Sequence, residues 1–336
     1  MDIQHQVSLR RFNTFGMDVT AAHLVRCPSV DSVLELLDSP FKDNLFVLGG
    51  GSNILFTRQV DACVLKNEID GIEVTELDEN RVRVRAGAGV NWHRLVCFCV
   101  EQGYAGMENL SLIPGNTGAS PIQNIGAYGV EIKDMFESLE AVHVKEKTIH
   151  TFSLNDCEFG YRDSIFKRRY RNQFVITSVS FCLNRKPVYH IEYGPIRQEL
   201  ERMRVSQLSI RAIARAVINI RSSKLPDPSV IGNAGSFFKN PLVEKPVADK
   251  IRETYPALVS YPASNNRVKL AAGWLIEQCG WRGFRRGDAG CHQHQALVLV
   301  NHGAATGFEI RQLADEIVES VFLKFGVRLE TEVNIY

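Results

Sequence analysis

Pro114-Gly-Asn-Thr-Gly-Ala-Ser-Pro-Ile-Gln-Asn-Ile-Gly-Ala-Tyr-Gly129 is the stretch on which the reading of this chain turns. Its sixteen residues hold four glycines, two prolines and a row of small polar side chains. Such a run packs poorly as core, and loops of this length without their own helix or strand are usually functional. Its backbone donors suit a long polar ligand, because glycine lets an N–H group approach an anion closely.

A second glycine loop, Gly49-Gly-Gly-Ser-Asn53, follows an apolar strand at Leu45-Phe-Val-Leu48. It fits neither common phosphate-loop template. A G-x-G-x-x-G fingerprint needs glycine where Ile54 or Phe56 stands, and no Gly-Lys-Ser/Thr occurs in the chain. Alone it reads equally as a strand-end turn. Paired with the longer loop, it could hold a pyrophosphate from the other side.

Around these loops the first third alternates strand and helix. Ser29 to Asp38 has an N-cap serine and helical apolar spacing. Ala62 to Leu65 is a short apolar strand. Arg81-Val-Arg-Val-Arg-Ala86 alternates strictly, as a half-buried strand does. Asn91 to Gln102 reads as a helix closed by Gly103. Strands follow at 139–144, 150–152 and 174–183 with few helices between them, the pattern of an antiparallel α+β domain. Helical periodicity returns at 205–223 and stops before Pro226 and Pro228. The last third predicts helices over 268–279 and 308–325 and strands over 296–301 and 327–335, a second α/β unit.

A chain of 336 residues exceeds one ordinary core. Its 39 Lys and Arg against 38 Asp and Glu leave a net charge of +1, with no global field for nucleic acid or anionic lipid. The basic run at 167–171 is read as a solvated face. No stretch approaches a membrane span, and the first eleven residues lack the apolar core of a secretory signal. A cytoplasmic protein is expected. Its eight scattered cysteines then read as reduced thiols, and Cys291-His-Gln-His294 lacks a second ligand pair, so no metal is expected.

The two loops resemble the pyrophosphate-binding segments of the vanillyl-alcohol-oxidase type of FAD-binding fold. The run Gln123 to Gly129 resembles, in particular, the UDP-N-acetylenolpyruvoylglucosamine reductase family. Further motifs of that family follow in order: Asn13-Thr-Phe-Gly16, Gly160-Tyr-Arg-Asp-Ser-Ile-Phe-Lys167, Gly232-Asn-Ala-Gly-Ser-Phe-Phe-Lys-Asn-Pro241 and Leu329-Glu-Thr-Glu-Val333. The resemblance spans nearly the whole chain. It implies an α+β fold: two FAD-binding subdomains at 1–68 and 69–205, an α/β substrate domain at 206–326, and a C-terminal strand, 327–336, returning to the active site.

The implied activity is NADPH-dependent reduction, through FAD, of a UDP-sugar enolpyruvyl ether in cell-wall precursor synthesis, by a monomer. The resemblance assigns the cofactor to Gly49, Gly50, Gly51, Ser52, Asn53 and Ile54 on one loop. On the other it assigns Gly115, Thr117, Gly118, Ala119, Pro121, Asn124, Ile125, Gly126, Tyr128 and Gly129. It implies Ser236 as proton donor, Arg162 as partner of the substrate carboxylate and Glu332 beside the intermediate. Tyr161, Lys224 and Asn240 correspond to substrate contacts. Tyr193 lies in a segment resembling a substrate-covering loop, with Tyr189 close enough to be the relevant ring. Read without the family, Ser236 is a turn residue, Arg162 a surface arginine and Glu332 part of a solvated strand face. Two other readings stand beside the reductase: an oxidase of the same fold, and a catalytically silent binding module.

Overall fold

The computed structural model describes residues 1–263 and 266–336. The chain forms two compact units: one of Met1–Val7, Thr20–Gly51 and Val60–Ser223, the other of Ser8–Val19, Ser52–Gln59 and Lys224–Tyr336.

Unit one holds two larger sheets and a two-stranded hairpin. In the first, Thr20–Cys27 and Leu45–Leu48 both run parallel to the central strand Val60–Asn67. Parallel neighbours need a crossover, and the helix Val30–Asp38 supplies one. Ser29 caps that helix by accepting from Ser32 N, and Val33, Leu36 and Leu37 pack on Val25, Cys27, Cys63 and Leu65. The second sheet is antiparallel, in the order Ile149–Ser153, Phe136–His143, Phe174–Asn184, Arg81–Gly87, Ile72–Glu76. The alternation in Arg81–Gly87 resolves as expected: Val82, Val84 and Ala86 are fully buried. Arg83 and Arg85 pair outward with Glu137 and Glu140. Helix Trp92–Glu101 starts at Asn91, whose side chain accepts from Arg94 N, and Gly103 follows its end at φ +78°.

Helix Ile210–Lys224 packs in unit one, although the sequence reading put it in the substrate domain. Ile210 and Ala214 join the core of the antiparallel sheet, while Ile213, Ala216, Val217 and Ile220 pack against Ile196 and Leu200. An apolar stripe that wide is covered from two sides. The boundary therefore falls at Ser223, just before Pro226 and Pro228.

Unit two has a four-stranded antiparallel sheet in the order Gly232–Ser236, Val298–Asn301, Ala289–Cys291, Arg285–Arg286, and a three-stranded one. The Asn13–Gly16 motif belongs here, not with the other early residues. The buried Asn13 amide donates to Leu9 O and Met17 O, and its oxygen accepts from Met17 N, all within 3.0 Å. Asn301 then donates to Phe15 O, and a Cβ on Gly232 would lie 2.3 Å from that oxygen.

Two expected elements differ. The helix expected over 268–279 is a strand, Arg267–Leu270, followed by a short helix, Ala272–Gln278. The Asn240 side chain accepts from Ala272 N and starts the helix there. The strand expected over 327–335 is laddered only at Asn334–Ile335, parallel to Ile54–Leu55, with a single bridge between Thr331 and Phe238. Among the described residues no helix is long and apolar enough to cross a membrane.

Helix Gly307–Phe325 begins with a capping box. Thr306 accepts from Glu309 N, and the Glu309 carboxylate accepts from Thr306 N. Thr306→Ala should lower unfolding stability by about 1 kcal/mol in a urea titration, with Thr306→Ser close to wild type.

Candidate functional site

The glycine loops meet backbone to backbone. A Cβ on Gly50 would stand 2.8 Å from Gly115 Cα and 2.9 Å from Asn116 Oδ1, so no side chain fits between them. Gly51 and Gly115 take left-handed φ of +62° and +114°. Lys66, at the end of an apolar strand, donates its ammonium to Gly49 O at 2.6 Å. Burial pulls the Lys66 pKa down, with Glu68 opposing. The cradle thus has a cation that the sequence reading missed. Its signal was one charge closing the run Ala62-Cys-Val-Leu65.

The longer loop is held from below. Thr117 donates backbone N–H and hydroxyl to Val90 O, and a Cβ on Gly118 would press 2.5 Å from that of Ala88. Gly126–Ala127 and Val130–Glu131 pair as a tight hairpin, with Tyr128 and Gly129 at φ +53° and +83°. Thr117 and Asn124, both expected to contact the cofactor, are fully covered. Asn124 donates to Glu131 Oε2 and Gly160 O and accepts from Lys133 N, and so braces the loop.

That brace continues to Arg162. Gly160 and Asp163 close a tight turn with Arg162 in it at φ +55°, an uncommon value for a non-glycine residue. Its guanidinium donates to Gly126 O at 2.7 Å and lies over the Tyr161 ring at 5.4 Å. A cation fixed to the loop in this way is pre-aimed. Arg221, another residue not foreseen, projects from the helix Ile210–Lys224, donates to Leu112 O and bonds the Tyr128 side chain. Burial pulls its pKa down and pushes the Tyr128 phenol up, and their mutual bond opposes both shifts. Tyr193, 40% exposed, meets Tyr128 edge-on with ring centroids 5.5 Å apart. Tyr189 is committed elsewhere, its hydroxyl donating to Leu208 O.

In unit two, Ser236 ends its strand beyond an irregularity in the ladder, after Gly235 at φ +69°. The next residue is gripped on both sides: Phe237 N donates to Leu297 O, and Phe237 O accepts from Glu332 N at 2.8 Å. This places the Glu332 peptide beside the residue following Ser236. Asn53 supports the same residue from its other side, its amide donating to Glu332 O at 3.2 Å. Glu330 points to solvent and pairs with Lys239, whereas Glu332 is half-buried. Lys224 is exposed, and Asn240 has one side-chain atom engaged by Ala272. The pair His292 and His294 has no further partner set. Among the described residues no group of three or more His, Cys, Asp or Glu is placed to hold a metal. Burial pushes the Cys291 thiol to about 12.

Comparison with known proteins accounts for both units. A sequence model described as an FAD binding domain matches residues 21–152. One described as the C-terminal domain of UDP-N-acetylenolpyruvoylglucosamine reductase matches residues 227–336. The chain is 48% identical over 338 residues to the reductase of that name from Pseudomonas fluorescens, covering 100% of this chain and 99% of that protein. It is 48% identical to those of Pseudomonas aeruginosa and Amoebophilus asiaticus, with the same coverage. A crystal structure of the Thermus caldophilus reductase covers 100% of this chain and 99% of its own at a TM-score of 0.70 and 23% identity, a likeness of fold. The glycine cradle, in which a Cβ on Gly50 would strike Gly115, fits the cofactor named by the first match. A cradle of this kind in unit one, a serine and a glutamate on neighbouring segments of unit two, and relatives matching from end to end place the chain in the UDP-N-acetylenolpyruvoylglucosamine reductase family.

Proposed function

We propose that this protein reduces the enolpyruvyl ether of UDP-N-acetylglucosamine to UDP-N-acetylmuramate, a step of peptidoglycan precursor synthesis, with electrons from NADPH. The observation that carries the residue assignment is the bond from Glu332 N to Phe237 O, which sets an acid on the segment beside Ser236. FAD, when bound, supplies hydride transfer, and the loops at 49–54 and 115–129 would hold it, with Thr117 and Asn124 shaping their loop from within.

The chain's own residues must then do three things. Arg162 binds the substrate carboxylate, toward which negative charge develops as the methylene carbon gains hydride; its fixed guanidinium costs little reorganisation. Ser236 gives its hydroxyl proton to the carbon next to the carboxylate. A serine is a weak acid, but a carbanion-like centre is basic enough to take that proton. Glu332 acts beside that intermediate, as an acid or as the orienter of its neighbours. Tyr161, Lys224 and Asn240 bind the substrate, and Tyr193 covers it; the exposure of Tyr193 and the committed hydroxyl of Tyr189 favour that choice of ring.

The same reading makes the protein a cytoplasmic monomer. In its support, all eight cysteines are free thiols.

Purified protein should be yellow and should bleach with NADPH under anaerobic conditions. Recovery of the oxidised spectrum should need the enolpyruvyl ether; recovery with oxygen alone would favour the oxidase reading. Ser236→Ala should bleach at the wild-type rate yet recover on the order of 10²–10⁴-fold more slowly in stopped flow. Gly50→Ala should weaken FAD binding at least about tenfold by fluorescence titration, since the new methyl meets backbone that cannot yield.

A further inference from the structure

We propose that Asn109 is a positioning residue that fixes the Tyr193 segment against the glycine loop, so that substrate covering is set from beneath by one buried amide. Asn109 is 1% exposed and lies in the short helical turn Glu108–Leu110. Its amide nitrogen donates twice, to Tyr128 O at 3.1 Å and to His190 O at 2.8 Å. The first acceptor belongs to the hairpin tip of the glycine loop, at a left-handed backbone position. The second belongs to the stretch before Tyr193, which forms neither helix nor strand.

A primary amide has two hydrogens, and here each holds a different loop. The two loops also meet through side chains, Tyr128 against Tyr193. Tyr189 anchors the chain just before His190 through its hydroxyl. His190 O is therefore a fixed point, and the residues up to Tyr193 extend from it. Beside the amide, the Glu108 carboxyl is also buried. One of its oxygens accepts from Gly106 N at 2.7 Å and the other has no partner among the described residues. Nothing polar is spare at this node to replace Asn109, because that carboxyl oxygen can only accept unless protonated.

The inference rests on Tyr193 covering the enolpyruvyl substrate. Its test is a double-mutant cycle in the FAD-loaded enzyme, reading KM for the ether, kcat, and the maximal rate of bleaching by NADPH. Asn109→Ser should raise KM about tenfold through the lost bonds, with kcat within about twofold and bleaching unchanged. In a Tyr193→Ala background the same substitution should change KM less than about twofold, since the ring it positions is gone. An unchanged KM in the single variant, or an equal rise in both backgrounds, overturns the proposal. Wild-type enzyme that bleaches but never turns over the ether overturns the functional reading and the inference with it. Normal turnover with an unmoved KM removes only the positioning role. If Asn109→Ser does not fold, hydrogen exchange on the wild type decides. The ether should slow exchange at 191–193 while 108–110 stays protected with or without it. Loosening of 108–110 in step with 191–193 would show that the node moves with the segment and overturn the proposal.

Discussion

The backbone of Gly50 lies against the backbone of Gly115 with no room for a Cβ, and much of unit one is arranged to keep it there. The parallel sheet ends in one loop at Leu48, and the antiparallel sheet carries the other through Ala88 and Val90. Each loop needs left-handed residues to turn sharply enough, and not all are glycine. Leu112, Asn124, Tyr128 and Arg162 all have φ between +43° and +58°. A left-handed non-glycine residue costs roughly 1–2 kcal/mol, so four of them around one loop are tolerable only where hydrogen bonds over-determine them. Asn124 bonded to Glu131 and Gly160, Arg162 to Gly126, and Asn109 to Tyr128 are those bonds.

This architecture explains how a nearly neutral protein can bind a diphosphate cofactor. A site built on backbone N–H groups does not need the cluster of cations that a surface site would use, and the net charge is +1. Buried donors also hold their directions better than long exposed side chains do. The cost is conformational, and it falls on residues whose side chains are already committed.

Unit two holds the segments carrying Ser236 and Glu332 side by side. Backbone bonds do most of this work: Phe237 is bonded on one side to Leu297 and on the other to Glu332. Asn53 adds a side-chain bond to the other side of Glu332. The Asn13–Gly16 motif, far away in sequence, is part of the support for the start of the Ser236 strand through Phe15, Gly232 and Asn301.

The sequence by itself determined the local elements and the motifs. Period-two alternation in Arg81–Gly87, the Ser29 cap and the two glycine runs each depend on neighbours only a few residues apart, so they could be read directly. Motif order carried the family. Tertiary structure alone decided where segments with no strong local preference belong. Residues 8–19 joined the last third because Asn301 donates to Phe15 O and Gly232 leaves that oxygen room, and the helix Ile210–Lys224 joined unit one because its apolar stripe is covered there from two sides. Likewise only the folded chain shows the Asn124 amide donating to Gly160, thirty-six residues away. Asn109 has no sequence signature and Lys66 only the faint one of a charge closing an apolar run, because the bonds of both go to backbone carbonyls, which any residue type can offer and which only the folded chain brings within reach.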